Sequence, residues 1–154
     1  MSKFTKTSNK LSLLDSNILV FAHNVSSPLH EKAKQLIFSA INKEINAALT
    51  PQNILEFYSI ITNPKRVEKP LLINDVYFLA NEYIRSGTFA FIYPQTTTLF
   101  KTIQLATKYQ IKKAEIFDAY LVATMLDNSV STIYTDNEKH FNLFERIEVV
   151  NPFK

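Results

Sequence analysis

Residues 47–61, AALTPQNILEFYSII, decide the fold class of this chain of 154 residues. The first four residues form a short β-rich run, and Pro51 then opens a segment with helical spacing that runs to about Thr62, because proline suits the first turn of a helix. A strand that passes into a helix without a linker is typical of a layered α/β domain with a mainly parallel sheet.

The same alternation extends in both directions from this stretch. Other β-rich runs are 13–15, 88–93, 131–135 and 147–150. Further helices are predicted at 17–21, 28–44, 74–85, 97–109 and 115–126. Ligands of such sheets bind outside the carboxyl ends of the strands, so the residues that follow the strands are the first candidates for a site.

Composition supports a single globular domain at residues 11–154. The chain is 46% hydrophobic and 20% charged, and it contains neither an internal repeat nor a linker long enough to divide it. The first ten residues are polar and are expected to be loose. The apolar run at 11–22 is too short and too polar to span a membrane, so we expect a cytoplasmic protein.

Two rare residue types exclude whole classes of site. Gly87 is the only glycine, so the sequence contains neither of the glycine-rich phosphate-binding motifs GxGxxG and GxxxxGK[ST]. Cysteine is absent, which excludes disulfides, thiolate metal sites and cysteine nucleophiles. The net charge of +3 does not by itself predict nucleic-acid binding.

Two aspartates directly follow predicted strands. Asp15 ends the run Leu13-Leu14-Asp15, and Asp136 follows the run at 131–135. Both therefore lie at the edge where a ligand would bind. Each also has a structural interpretation, because Asp15 could cap the next helix and Asp136 could form a turn.

Two further acids lie on predicted helices. Asp118 shares a helical stripe with Leu121, Val122 and Met125, where a carboxylate is costly unless it is paired, hydrogen-bonded or bound to a metal. A position near the helix N-terminus is the structural alternative. Glu56 belongs to a polar stripe with Gln52, Asn53, Ser59 and Asn63 that could simply face solvent, although its helix begins at the carboxyl edge of the sheet.

These four carboxylates could converge on one cleft although they are far apart in sequence. Crowded carboxylates repel one another, so some must take up protons or bind a cation. Oxygen ligands without cysteine or clustered histidine favour Mg²⁺ or Mn²⁺ over Zn²⁺, and the three histidines do not form a metal-ligand spacing. His140 lies near the same edge and is expected to have at most a substrate-side role.

Four stretches in this order resemble the PIN-domain family, and within it the VapC-like ribonuclease toxins. The resemblance extends from Leu13 to Phe153, and the stretches are 14–17 (LDSN), 55–57 (LEF) with Pro64, 117–124 (FDAYLVAT), and 134–137 (YTDN) with Phe141 and 150–153 (VNPF). It implies a three-layer α/β/α sandwich with a mainly parallel sheet of about five strands.

The resemblance also implies cleavage of RNA phosphodiester bonds that depends on Mg²⁺ or Mn²⁺. Asp15 and Asp118 match the best-fixed metal ligands, and Glu56 matches the third acid. The last family motif is usually Thr-x-Asp, and in that register the acid position falls on Asn137. Either Asp136 or Asn137 is therefore the candidate for the fourth ligand.

Roles follow from the chemistry of these residue types. The catalytic set is Asp15, Glu56, Asp118 and Asp136, in which Glu56 or Asp136 orients or deprotonates a water molecule. Four polar neighbours would hold the carboxylates, namely Ser16, Asn17, Thr135 and Asn137. Candidate phosphate contacts are Lys65, Arg66, Lys112 and Lys113, which could equally be ordinary surface residues.

The resemblance implies partners as well. A toxin of this kind is held in check by a cognate antitoxin protein, and related toxins often form homodimers. Two other functions remain open: a PIN-like module that binds RNA or protein without cleavage, and a phosphatase with Asp15 as nucleophile. Position 17 is asparagine where such a phosphatase needs a second acid, which disfavours the last interpretation.

Overall fold

The fold is described from a computed structural model that covers residues 10–154. Residues 1–9, which make up nearly all of the expected loose N-terminal segment, lie outside the described residues. Five parallel strands form one sheet in the order β3-β2-β1-β4-β5, which confirms the predicted fold class.

The elements alternate along the chain as the sequence predicts. The strands are β1 (Leu11–Leu14), β2 (Asn46–Leu49), β3 (Ala90–Phe91), β4 (Thr132–Tyr134) and β5 (Glu148–Val150). The helices are α1 (Ser16–His23), α2 (His30–Ile41), α3 (Pro51–Ile61), α4 (Ile73–Arg85), α5 (Thr98–Lys108), α6 (Ile116–Asp127) and α7 (Glu138–Phe141). A 3₁₀ turn at Lys113–Glu115 leads into α6.

Helices cover both faces of the sheet and produce three layers. Consecutive strand residues point to opposite faces, so Leu14 packs against α1 to α4 while Leu13 packs against α5, α6 and Phe141. In β4, Ile133 lies on the same face as Leu13, and Tyr134 lies on the same face as Leu14. Because both faces are buried, most strand residues are apolar and the strands do not alternate between apolar and polar residues.

The order of the strands reverses at β1. The chain first adds β2 and β3 on one side of β1 and then places β4 and β5 on the other side. After β1 the chain enters α1 on one face, whereas after β4 it enters α7, whose Phe141 packs on the opposite face. The connections therefore diverge and leave a crevice at the carboxyl ends of β1 and β4, which is where such sheets bind ligands.

Three local details differ from the sequence predictions. Pro28 lies in a turn ahead of the N-cap residue Leu29, because α2 begins only at His30. The four-residue helix α7 was not predicted, since one turn is too short to show a period. Asn53 does not belong to a solvent-facing polar stripe but is fully buried. Among residues 10–154, no helix combines the length and apolar character that crossing a bilayer requires.

Candidate active site

Asp15 lies at the crevice where the strand order reverses. Its backbone N–H extends the β1–β4 ladder by donating to Tyr134 O over 3.0 Å, which fixes the residue beside the end of β4. Its buried carboxylate accepts hydrogen bonds from Ser16 N (2.7 Å), Thr135 Oγ1 (2.7 Å) and Asn17 Nδ2 (3.4 Å). Asp15 is thus both the N-cap of α1 and a carboxylate at the ligand edge, which unites the two interpretations of this residue.

Glu56 reaches the same crevice from α3. Thr50 and Asn53 start this helix with a capping box, in which Asn53 N donates to Thr50 Oγ1 (3.1 Å) and Thr50 N donates to Asn53 Oδ1 (2.9 Å). One turn later, Glu56 Oε2 accepts from Ser16 Oγ (2.8 Å) and Oε1 accepts from Gln52 Nε2 (2.8 Å). The capping box therefore sets the start of the helix that carries Glu56 to Asp15.

Asp118 comes from the first turn of α6 on the other side of the sheet. Leu121 and Val122 are buried as the apolar stripe predicts, whereas the Asp118 side chain keeps 26% of its surface exposed. Its Oδ2 forms a 2.9 Å hydrogen bond with His140 Nδ1 of α7. The helix N-terminus and His140 together compensate the carboxylate for its partial burial.

Electrostatic coupling joins these three acids. The pKa of Asp15 is raised from 3.8 to about 6, mainly by burial and to a smaller extent by the charges of Glu56 and Asp118, against the lowering effect of its hydrogen bonds from Thr135 and Ser16. Burial also raises the pKa of Asp118, with a contribution from Glu56 in the same direction. The crevice therefore concentrates negative charge in a desolvated place, which a cation would relieve.

The fourth carboxylate points elsewhere. Asp136 is exposed, and its Oδ1 accepts from Asn151 Nδ2 (3.4 Å), while its backbone N–H donates to Asn17 Oδ1 (3.5 Å). Asn137 contributes its backbone N–H to Thr135 Oγ1 (2.9 Å). Thus Thr135 and Asn17 contact Asp15 directly and Asn137 acts through Thr135, whereas the choice between Asp136 and Asn137 as a ligand stays a prediction.

Comparison with known proteins identifies the family to which this fold belongs. The family model of the PIN domain matches residues 12–148, which is most of the chain. The chain belongs to the PIN-domain family. A relative, Ribonuclease VapC24 of Mycobacterium tuberculosis, is 24% identical over 139 residues, which cover 90% of this chain and 94% of the relative.

Solved structures of other proteins share the PIN fold. VapC20 of Mycobacterium tuberculosis, described as a sarcin-ricin loop cleaving toxin, superposes with a TM-score of 0.65 at 13% identity, covering 86% of this chain and 95% of that one. A toxin–antitoxin complex from Klebsiella pneumoniae gives a TM-score of 0.58 at 20% identity, with coverage of 93% and 98%. FitAcB from Neisseria gonorrhoeae superposes with a TM-score of 0.61 at 17% identity, covering 92% of this chain and 97% of that one.

The PIN family implies a divalent metal ion, and the chemistry of the three acids suits one. The donors are carboxylate oxygens, which Mg²⁺ and Mn²⁺ prefer, and burial, together with the nearby charges of Glu56 and Asp118, raises the pKa of Asp15. In the part of the chain described, no three Asp, Glu or His side chains are arranged to share an ion as they stand. Ser16, Gln52 and His140 each form a hydrogen bond with one oxygen of Glu56 or Asp118, and because these oxygens keep further lone pairs, an ion requires only that the side chains shift.

The predicted phosphate contacts lie in two different places. Lys112 and Lys113 lie at the start of the 3₁₀ turn that leads into α6, close in sequence to Asp118. Lys65 and Arg66 follow the C-terminal end of α3, which is directed away from the carboxyl edge because the helix runs back along the sheet. All four side chains are exposed, and none forms an ion pair with another residue of 10–154.

Two contacts of the site were missed by sequence reasoning. Gln52 Nε2 donates to Glu56 Oε1 and also to the backbone oxygen of Phe117 (3.1 Å), which links α3 to the start of α6. The spacing of Gln52 and Glu56 at i and i+4 was the available signal, since such pairs face each other on a helix. The hydrogen bond of His140 to Asp118 carried no comparable local signal, because it joins two elements that are separate in sequence.

Proposed function

We propose that this chain is an endoribonuclease that hydrolyses RNA phosphodiester bonds with the help of Mg²⁺ or Mn²⁺, and that it is the toxin of a toxin–antitoxin pair. One observation carries the proposal. Asp15, Glu56 and Asp118 come from three separate elements, and their charges act on one another at the crevice of the sheet. Similarity to a protein named Ribonuclease VapC24 supports the choice of RNA as substrate.

The acids have different surroundings and therefore different roles. Asp15, which is buried and held by Thr135 and Ser16, would be a fixed ligand of the ion, and Asp118 and Glu56 would complete the protein ligands. A bound divalent ion would supply positive charge, which acidifies water and offsets the negative charge that develops on the phosphate.

The acids that are less buried than Asp15 are the candidates for proton transfer. Glu56 is half-buried and can accept a proton from the attacking water at Oε1 or Oε2. Asp136 is exposed, directly follows Thr135, which donates to Asp15, and is the second candidate for this role. Lys112 and Lys113, with Lys65 and Arg66 at the other end of α3, would contact the phosphates of the RNA.

The partners follow from the proposed toxin function. Solved structures with this fold include toxin–antitoxin complexes, which supports a cognate antitoxin protein as a partner of this chain. We also propose a homodimer in the cytoplasm. Several large apolar side chains on α5 are exposed and could lie between two copies, namely Leu99, Phe100 and Ile103.

Cleavage of single-stranded RNA tests the proposal directly. The purified chain should cut an RNA oligonucleotide in Mg²⁺ or Mn²⁺ and should stop in EDTA. Asp118→Asn should abolish cleavage, whereas Asp75→Asn, which removes an exposed acid on α4, should cut as fast as the unchanged chain. Cleavage by Asp118→Asn at the unchanged rate would contradict the proposal.

A second candidate function is a PIN module that binds RNA or protein without cleaving. It is favoured by the arrangement of residues 10–154, in which no three Asp, Glu or His side chains are placed to share an ion, and by the contact of Asp136 with Asn151. Calorimetric titration separates the two functions, because a nuclease of this kind must take up Mg²⁺ or Mn²⁺ at millimolar concentration. A flat titration would support the non-cleaving module.

A further inference from the structure

A mainly apolar cavity of about 540 Å³ adjoins the three acids between the N-terminal turns of α3 and α6. Leu55, Pro94, Phe117 and Tyr120 form much of its wall, and Glu56 lines it as well. One carboxylate thus belongs both to the acidic crevice and to the cavity, so a ligand in the cavity would lie next to the reacting phosphate.

Two exposed apolar side chains frame this cavity. Leu55 is 70% exposed and directly precedes Glu56, and Phe117 is 60% exposed and directly precedes Asp118. A large aromatic side chain in water beside a charged crevice loses the stabilisation that burial would give it. Proteins that bind single-stranded nucleic acids use such side chains as platforms on which bases stack.

Gln52 adds a polar group with unused hydrogen-bonding capacity. Its Nε2 donates to Glu56 Oε1 and to Phe117 O, and because both are acceptors the amide cannot be flipped. Its Oε1 is consequently buried without a hydrogen-bond partner among residues 10–154. An N–H group at the edge of a ligand could supply the missing donor after a small shift of the side chain.

We propose that this cavity receives one unpaired nucleobase of RNA, stacked on Phe117, beside the bond that is cut. The proposal rests on the nuclease function proposed above and adds a subsite to it. The cavity wall offers a phosphate no cationic side chain and includes Glu56, which would repel it, whereas a base is planar and neutral and has two apolar faces. Double-stranded RNA is excluded because its bases are stacked within the helix and are out of reach of Phe117.

A base suits the cavity better than a second protein chain does. The lining of the cavity holds no cationic side chain, so a protein seated on Leu55 and Phe117 would have to supply one to Glu56, since burying an unpaired carboxylate is costly. A base covers Phe117 and leaves the oxygens of Glu56 directed at the phosphate side.

Fluorescence of 2-aminopurine tests the stacking contact apart from cleavage. The probe is a 12-nucleotide single-stranded RNA with one 2-aminopurine, moved position by position, and the protein is the full chain with Asp118→Asn so that the RNA stays intact. At one position binding should quench the fluorescence. Adding Phe117→Ala should remove the quenching and weaken binding about 5- to 100-fold, whereas Phe117→Tyr should retain both.

The control is Phe78→Ala on α4, which removes a phenylalanine of similar exposure (66%) that does not line the cavity. It should leave quenching and affinity unchanged. With an abasic nucleotide at the quenched position, Phe117→Ala and its parent should bind equally well. Thermal unfolding of each variant shows that the folded state is retained.

Two outcomes would overturn the base site. One is quenching and affinity in the Phe117→Ala variant that match those of the Phe78→Ala control. The other is a Phe117→Ala variant that changes only the sedimenting mass, which would assign the cavity to a second copy. If the unchanged chain does not cut RNA in Mg²⁺ but the quenching persists and depends on Phe117, the nuclease function fails while the base site stands.

Discussion

Ser16 Oγ donates a hydrogen bond to Glu56 Oε2 over 2.8 Å and thereby joins the start of α1 to the middle of α3. The same hydroxyl lies 3.4 Å from Asp15 Oδ1, which also accepts from Ser16 N at 2.7 Å. Ser16 therefore stands between two carboxylates that repel each other. A hydrogen bond donated to a carboxylate favours its ionised form, so this one residue helps to keep the acids charged and close together.

Ser16→Ala should reduce function more than stability. Loss of one hydrogen bond to a half-buried carboxylate should lower the free energy of unfolding by about 1–2 kcal/mol. Residues that orient metal ligands typically change metal affinity or activity about 10- to 100-fold, so RNA cleavage and Mn²⁺ affinity should fall by that factor. Cleavage kinetics, calorimetry and urea unfolding measure these quantities.

Ser59→Ala is the matched control for this change. Ser59 is exposed on α3, in the turn that follows Glu56. It should leave cleavage and Mn²⁺ affinity unchanged. A Ser16→Ala variant that binds Mn²⁺ and cuts RNA as well as the Ser59→Ala control would show that the bridge between Asp15 and Glu56 does not orient the site.

Asp15 should make the metal-free protein less stable as the pH rises. Burial raises its pKa from 3.8 to about 6 in the folded state, so the folded protein binds this proton more tightly than the unfolded chain does. The resulting stability is complete below pH 3.8 and is lost as the pH rises through about 6. Between pH 5 and pH 7.5 this loss amounts to about 1 kcal/mol, and the full shift to about 3 kcal/mol.

Asp15→Asn isolates this effect from the other titrating groups. The variant removes the buried charge, so the difference in stability between the variant and the parent should grow in favour of the variant from pH 5 to pH 7.5. Urea unfolding in EDTA at the two pH values measures it. Equal changes in both proteins would mean that Asp15 is not desolvated as the structure indicates.

Binding of Mn²⁺ should offset the loss of folding stability that the crowded acids cause. An ion that binds the folded chain and not the unfolded one stabilises it in proportion to the logarithm of its concentration, by about 2.7 kcal/mol at 100 times the dissociation constant. Thermal unfolding of the parent and of Asp75→Asn should therefore shift upward with Mn²⁺ at pH 7.5. Asp15→Asn should shift little, and the parent should shift less at pH 5 because protons compete for Asp15.

Sequence reasoning predicted the elements and the candidate acids because their signals are local. Proline at the start of α3, the apolar stripe around Asp118 and the short β-rich runs each need only a few neighbouring residues. The meeting of Asp15 and Asp118 could be anticipated only through the general rule for carboxyl edges of parallel sheets. The resemblance to the PIN family then indicated which of the acids share one site.

Contacts between distant residues could not be predicted from the sequence. The hydrogen bond from Thr135 to Asp15 depends on β4 lying beside β1, and neither strand's sequence shows which strand is its neighbour. Asn53 resembled a surface residue because a capping box buries a polar side chain without an apolar pattern. The direction of the Asp136 side chain likewise depends on Asn151, which comes from the end of the chain.

His23 should act on stability in the opposite pH direction from Asp15. It ends α1, where Nε2 forms a 2.7 Å hydrogen bond with Tyr83 OH, and burial together with the nearby His30 lowers its pKa from 6.5 to about 4. A lowered histidine pKa gives stability that is present above pH 6.5 and is lost as the pH falls toward 4. From pH 7 to pH 5 the expected loss is about 1–2 kcal/mol.

His23→Gln tests this assignment. Glutamine keeps a polar group near Tyr83 but cannot be protonated, so the variant should lose less stability than the parent between pH 7 and pH 5. Urea unfolding in EDTA at these values measures the difference. A His23→Gln variant with the same acid sensitivity as the parent would place the titrating group elsewhere in the chain.

The salt dependence of RNA binding should tell the two basic groups apart. Each phosphate contact to single-stranded RNA contributes about 0.7 to the slope of log affinity against log salt. Lys112 and Lys113 lead into the helix of Asp118, so replacing both with glutamine should reduce the slope by about 1.4 in the Asp118→Asn background. Lys65 and Arg66 lie at the opposite end of α3 and make contact only if the RNA extends along that helix.

Titrations with a short and a long RNA therefore decide where the strand runs. With a 6-nucleotide RNA, glutamine at positions 65 and 66 should leave the slope unchanged, whereas glutamine at 112 and 113 should reduce it. If the slope with a 20-nucleotide RNA falls for both double variants, the strand follows α3 away from the acids. If neither double variant changes either slope, these four side chains are ordinary surface residues and the phosphates are held elsewhere.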